Sequence, residues 1–122
     1  MTDPATVASI VSTYEKYGWV LRRLLLTEAA ASSIANDYPG VANSGFGLDA
    51  AWFSRPPAPG GISWELRYLG EPPFALLVKA DENLPDFEDT LAGVEQRLKD
   101  VVLSKKQGLT SGEHDITLKR LT

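Results

Sequence analysis

The sequence predicts an α+β fold, an antiparallel sheet of about four strands packed on one side by two long helices. Three observations predict it. Apolar residues recur at helical spacing near both ends of the chain, as Val7, Ile10, Val11, Tyr14 and as Leu84, Phe87, Leu91, Val94, Leu98, Val101. Between them, stretches of alternating character are separated by glycine- and proline-rich turns. All three tryptophans are followed by arginine three residues on: Trp19 and Arg22, Trp52 and Arg55, Trp64 and Arg67. Residues three apart on a strand point to opposite faces, so each copy sends an aromatic ring to one side and a cation to the other. Two copies match further, as Trp19-Val20-Leu21-Arg22-Arg23-Leu24 and Trp64-Glu65-Leu66-Arg67-Tyr68-Leu69.

The first helix has Thr2 or Asp3 as its cap, Pro4 in its first turn and Gly18 as its stop. Residues 19–27 fit a helix or a strand. Gly18 and the match to the strand at Trp64 favour a strand, and its leucines at 24, 25 and 26 call for cover on both faces at one end. Residues 28–37 are alanine-rich and read as a short covering helix capped by Thr27 and ended by Tyr38-Pro39-Gly40. Residues 40–47 hold three glycines with Asn43 and Ser44 and read as a loop. A strand follows at 48–55. Residues 56–61, Pro-Pro-Ala-Pro-Gly-Gly, read as a loop closed to regular structure. Residues 62–69 are the clearest strand, with Ile62, Trp64, Leu66 and Tyr68 on one face and Ser63, Glu65 and Arg67 on the other. A turn at Gly70-Glu71-Pro72-Pro73 leads to a strand at 74–80. The last helix has Asn83 or Asp86 as cap, acidic residues at its start, Lys105 and Lys106 at its end, and Gly108 as stop, placements that suit the helix dipole. Residues 1–108 thus read as one α+β domain and 109–122 as a tail or an edge strand at 115–121.

The 122 residues suit one domain, and 43% hydrophobic with 23% charged residues is a globular composition. The absence of cysteine excludes disulfides, thiolate nucleophiles and cysteine zinc sites, and agrees with a reducing compartment. The N-terminus lacks the basic and apolar segments of a signal peptide, and no apolar run approaches a membrane span. A cytoplasmic protein with no membrane association is expected. The net charge of −4 argues against nucleic acid, which is held through its phosphates.

Familiar chemical motifs fail on spacing. Gly45-Phe46-Gly47-Leu48-Asp49-Ala50 precedes a strand, whereas a dinucleotide loop follows one and opens a helix. His114 is the only histidine and sits in a polar turn with Ser111 and Asp115 as chain neighbours, which do not converge as a triad does. The acidic run from Asp81 to Asp89 has Asp86 and Ala92 where a calcium loop needs glycine and glutamate, and it reads as a helix start. No cofactor is implied. The arginine set is the feature left over. If the tryptophan-bearing strands share a sheet, Arg22, Arg55 and Arg67, joined by Lys79, lie on its face away from the tryptophans, with Asp49, Glu65, Phe53, Leu69 and Leu77 among them. That face is either solvated and laced with weak ion pairs or an amphipathic surface for a partner or an anionic ligand.

Element order, size and acidity are similar to secretion-chaperone-like α/β folds, which bind partner segments and dimerise, although no residue motif carries the likeness. The expected function is therefore binding rather than catalysis. The expected protein is a homodimer that takes a protein or peptide partner on the amphipathic face, with Arg22, Arg55, Arg67, Lys79, Phe53 and Trp52 as candidate contacts. The alternative is a small-molecule binder or enzyme with a tyrosine, arginine and carboxylate pocket, lined by Trp52, Trp64, Tyr38 and an arginine.

Overall fold

A computed structural model describes residues 3–58 and 61–106. The expected tail at 109–122, with its edge strand and His114, lies outside the described residues, as does Thr2. Helix α1 spans Pro4–Lys16, β1 Val20–Leu26, α2 Glu28–Ile34 with a 3₁₀ turn at Ala35–Asp37, β2 Ala42–Gly45, β3 Ala50–Ala58, β4 Gly61–Tyr68, β5 Phe74–Lys79 and α3 Phe87–Lys106. The protein is α+β, but the sheet is mixed and has five strands among the described residues, in the order β2-β1-β3-β4-β5. Every neighbouring pair is antiparallel except β1 and β2, which are parallel and joined through α2.

Local chemistry sets the helix starts. The Asp3 carboxylate accepts from the Thr6 amide, and Pro4 opens α1 at a position that needs no donor. Gly18 follows α1 at φ +89°, a conformation that side-chain-bearing residues rarely adopt. Thr27 caps α2 by accepting from the Ala30 amide at 3.3 Å and donates its hydroxyl to Asp49 at 3.0 Å. Thr27→Ala is expected to cost about 1 kcal/mol in urea unfolding, because it removes the cap at a fixed helix position.

The helices do not share one side of the sheet. On one face, α3 sets Phe87, Leu91, Leu98 and Val102 against Trp52, Trp64, Leu66, Tyr68, Phe74 and Leu76. On the other, α1 and α2 set Val7, Val11, Ala30 and Ile34 against Leu21, Leu24, Leu26, Ala51 and Phe53. The expected single covered side is thus replaced by two. The reason lies in the central strands: Trp52 and Phe53 are adjacent in β3, point opposite ways, and are each 0% exposed. A strand apolar on both parities needs cover on both faces.

Two segments read as loops pair as strands. Residues 42–45, Ala-Asn-Ser-Gly, are all exposed and join β1 in register Arg23 to Ala42 through Leu26 to Gly45. Strand β3 runs through Pro56 and Pro57 to Ala58. Its register with β4 shifts between Arg55 and Ala58, an irregularity that accommodates residues lacking an N–H donor.

Candidate functional site

The strand register fixes which side chains meet. On the face that carries α1, Phe53, Glu65 and Leu77 lie opposite one another across β3, β4 and β5. Arg55, Ser63 and Lys79 form the row on one side of these, and Ala51, Arg67 and Ala75 the row on the other. Helix α1 covers the β1–β3 half of the face. Over the β4–β5 half, Leu77 is 51% exposed and Lys79 is exposed.

Tyr14 of α1 marks the boundary. Its ring stacks on Phe53 with centroids 4.0 Å apart and planes 15° apart, and its hydroxyl donates to Glu65 Oε2. Glu65 is only 5% exposed, and the phenol supplies the hydrogen bond that a buried carboxylate needs. Burial raises the Tyr14 pKa, the bond and charge of Glu65 raise it further, and Arg67 works against them. This direction is opposite to that of a phenol recruited as a base or nucleophile, whose pKa is lowered toward neutrality.

Arg55 lies over the Trp19 ring at 5.1 Å, and Trp19 meets Tyr14 edge-on at 6.1 Å. Lys79 Nζ donates to Ser63 Oγ at 3.1 Å. Among the described residues, Arg55, Arg67 and Lys79 form no ion pair within 4 Å. A concavity of about 370 Å³ opens here, lined by Thr13, Tyr14, Tyr17, Trp19, Arg55, Glu65 and Leu77. A second, of about 340 Å³, follows α1 toward its start between Ser9, Ile10 and Arg67. At that start a cleft of about 390 Å³ contains Asp3, Asp49 and Glu71, but Asp3 is engaged by Thr6 and Asp49 by the Thr27 amide and hydroxyl.

Arg22 does not join this surface. Leu21 pairs with Phe53 and therefore shares its face, so Arg22 points to the α3 side. A bulge between Leu21 and Arg23 then puts Arg23 opposite Trp52, on the same side as Arg22. There Arg22 stands over the Trp64 ring at 4.9 Å, donates to Ser54 at 3.0 Å and pairs with Glu82. Arg23 grips Glu88 through two hydrogen bonds, at 3.0 and 2.7 Å, which holds the Glu88 carboxyl below its usual range. The acidic run before and within α3 thus ties that segment to β1. Each tryptophan and its arginine do lie on opposite faces. The first copy is inverted: Trp19 belongs to the α1 side, while Trp52 and Trp64 belong to the α3 side.

The expected contacts therefore divide. Arg55, Arg67 and Lys79 share an accessible face, and Arg22 lies behind the sheet. Trp52 and Phe53 are fully buried, where they support the surface rather than form it. Trp52 donates its indole N–H to Glu95 at 2.8 Å. The imagined pocket of Trp52, Trp64 and Tyr38 does not form, because Tyr38 packs on the opposite side from both tryptophans. The sequence offered Tyr14 and Tyr17 as phenols able to serve a pocket, Trp19 as part of the tryptophan–arginine pattern and Glu65 as part of the arginine face, but nothing in it brought the four together. Glu65 offered one signal, a carboxylate in mid-strand between Trp64 and Leu66.

Comparison with known proteins yields no matching family model, no matching curated protein and no matching solved structure. Among the described residues, no helix is long and apolar enough to cross a membrane.

Proposed function

We propose that this chain is a cytoplasmic partner-binding domain that acts as a homodimer and takes an acidic and apolar polypeptide segment on the α1-side face of β3–β5. The observation that supports it is the row Arg55–Ser63–Lys79 beside exposed Leu77. The chain is acidic overall, at −4, yet this face presents Arg55, Arg67 and Lys79 around Glu65, which Tyr14 already binds, with Glu71 at the margin beside Arg67. Cations there steer an anionic segment, and Leu77 and Tyr17, 62% exposed, supply apolar contact. Cytoplasmic placement rests on the absence of cysteine.

Selection of short random peptides on the immobilised full-length protein tests the reading. The expected hits mix acidic and apolar residues. Arg55→Glu with Lys79→Glu is expected to weaken them about tenfold, or ~1.4 kcal/mol, by fluorescence anisotropy. Hits that bind the charge-reversed and unaltered proteins equally, or no enrichment at all, would reject it. The second reading, a small anionic ligand, draws on Tyr14, Glu65 and Arg55 meeting in a concavity of ligand size. It predicts instead a bound small molecule in native mass spectra.

A further inference from the structure

We infer, on the partner-binding reading above, that the concavity beside Tyr14 takes the C-terminal residue of the bound segment. The terminal carboxylate sits on Arg55, the last backbone N–H on Glu65 Oε1, and an apolar side chain on Leu77 and Tyr17. Glu65 is 5% exposed, and Tyr14 binds its Oε2. Oε1 has no hydrogen-bond partner among the described residues. Among those residues the Trp64 indole nitrogen is the one unpartnered side-chain polar atom sealed from solvent. Glu65 Oε1 is therefore open, and Glu65 lines the concavity. A carboxylate oxygen set so deeply gains a short, strong bond from a donor that enters and displaces water.

Arg55 lines the same concavity, is exposed, and rests over the Trp19 ring. Its guanidinium has no hydrogen bond or ion pair among the described residues. A guanidinium fork matches a carboxylate through two parallel bonds. Because Glu65 pairs with Phe53, Arg55 is its diagonal neighbour across β3 and β4. Such neighbours are rooted about 7–8 Å apart. The amide nitrogen and carboxylate carbon of a terminal residue are about 2.5 Å apart. With a bond of about 2.8 Å at each end, that unit fits between the two side chains. Charge selects among the donors that could reach Oε1. An ammonium, from a free amino acid or the start of a chain, would enter among Arg55, Arg67 and Lys79. A neutral amide N–H meets no such repulsion. An aspartate inside a chain also carries an N–H and a carboxylate, but its side chain is then used and leaves nothing apolar for Leu77 and Tyr17. The C-terminal residue supplies all three groups at once.

Paired peptide libraries on the full chain test this anchor. Acetylated hexapeptides of random sequence are offered in two forms, one ending in a free carboxylate and one in a carboxamide. Bound peptides are read by mass spectrometry. Enrichment is expected only among free carboxylates, with an apolar last residue. For an enriched sequence, fluorescence anisotropy should show about tenfold weaker binding of its carboxamide, and of its form N-methylated at the last amide. Glu65→Gln should abolish the N-methyl effect, since Tyr14 then occupies the amide oxygen and the NH₂ group facing the concavity accepts nothing. Should Glu65→Gln disrupt folding, the two altered peptides on the unaltered chain carry the comparison. Acid and amide forms that bind equally, yet are both weakened by Arg55→Glu with Lys79→Glu, would overturn the terminal anchor and leave the partner-binding reading standing. Free leucine binding as tightly as the peptides would also overturn the anchor. No enrichment from either library would overturn both.

Discussion

Truncation of Trp64 to alanine is expected to destabilise the protein by about 3–5 kcal/mol, the range for a large aromatic side chain removed from a core that cannot fully collapse. Trp64 is 1% exposed, meets Trp52 edge-on at 6.2 Å and Phe87 at 5.1 Å, and lies under the Arg22 guanidinium. Its loss opens a cavity between sheet and α3 and removes the surface on which Arg22 rests. Against a total stability of roughly 5–15 kcal/mol for a domain of this size, such a cost approaches unfolding. The indole N–H of Trp64 is buried with no hydrogen-bond partner, so phenylalanine should do far better than alanine. Trp64→Phe keeps most of the ring and discards an unsatisfied donor, for an expected cost of about 1–2 kcal/mol. Urea unfolding with linear extrapolation measures both. An alanine variant that loses under about 1 kcal/mol would show that the α3 side is not the principal core.

The burial of Trp64 was legible because strand 61–68 alternates without a break, and an alternating pattern has one reading. The two-sided cover of the sheet was half legible. Consecutive leucines in β1 signalled it, but Ala50 and Ala51 are small enough to be read either way, and the Trp52–Phe53 pair was needed to see that both faces close. The strand at 42–45 carries no signal, since its four residues are exposed and joined only through main-chain pairing, which periodicity cannot detect. The arginine surface shows a different gap. An offset of three residues correctly sent each arginine away from its tryptophan, yet the choice of face in β1 depends on its register with β3. Leu21 opposite Phe53 decides that Arg22 looks toward α3. Register arises between strands, and a single residue of difference reverses every side chain. The Tyr14–Glu65 bond spans 51 positions of sequence and joins a helix to a strand whose relative placement no local pattern encodes.

That bond carries the second large effect. With Tyr14→Phe, Glu65 keeps its burial and loses its donor. A hydrogen bond to a charged buried group contributes about 1.5–3 kcal/mol, and that is the expected loss near neutral pH. The pH dependence identifies the cause. Tyr14 has a folded-state pKa raised above the ordinary value of 10.0. A group raised on folding holds its proton more tightly in the native state, so its stabilising contribution is complete below the unfolded pKa, near 10, and is lost as pH climbs beyond it. Above that point the unfolded chain releases the Tyr14 proton first, and stability falls by about 1.4 kcal/mol per pH unit from this group alone. Lysines and the other tyrosines also titrate there, Tyr38 among them with a pKa raised by burial and the charges of Asp37 and Glu15. The informative quantity is therefore the difference between the unaltered chain and Tyr14→Phe in urea unfolding from pH 8 to 11.5. Below pH 10 the difference should be constant; above it, the gap should shrink as the unaltered chain loses what the variant never had. Glu65→Leu combined with Tyr14→Phe should recover much of the single-variant loss, because two apolar groups leave no buried charge unmet. A constant gap through pH 11.5 would mean that Tyr14 titrates as an exposed phenol and that its contact with Glu65 contributes nothing to the fold.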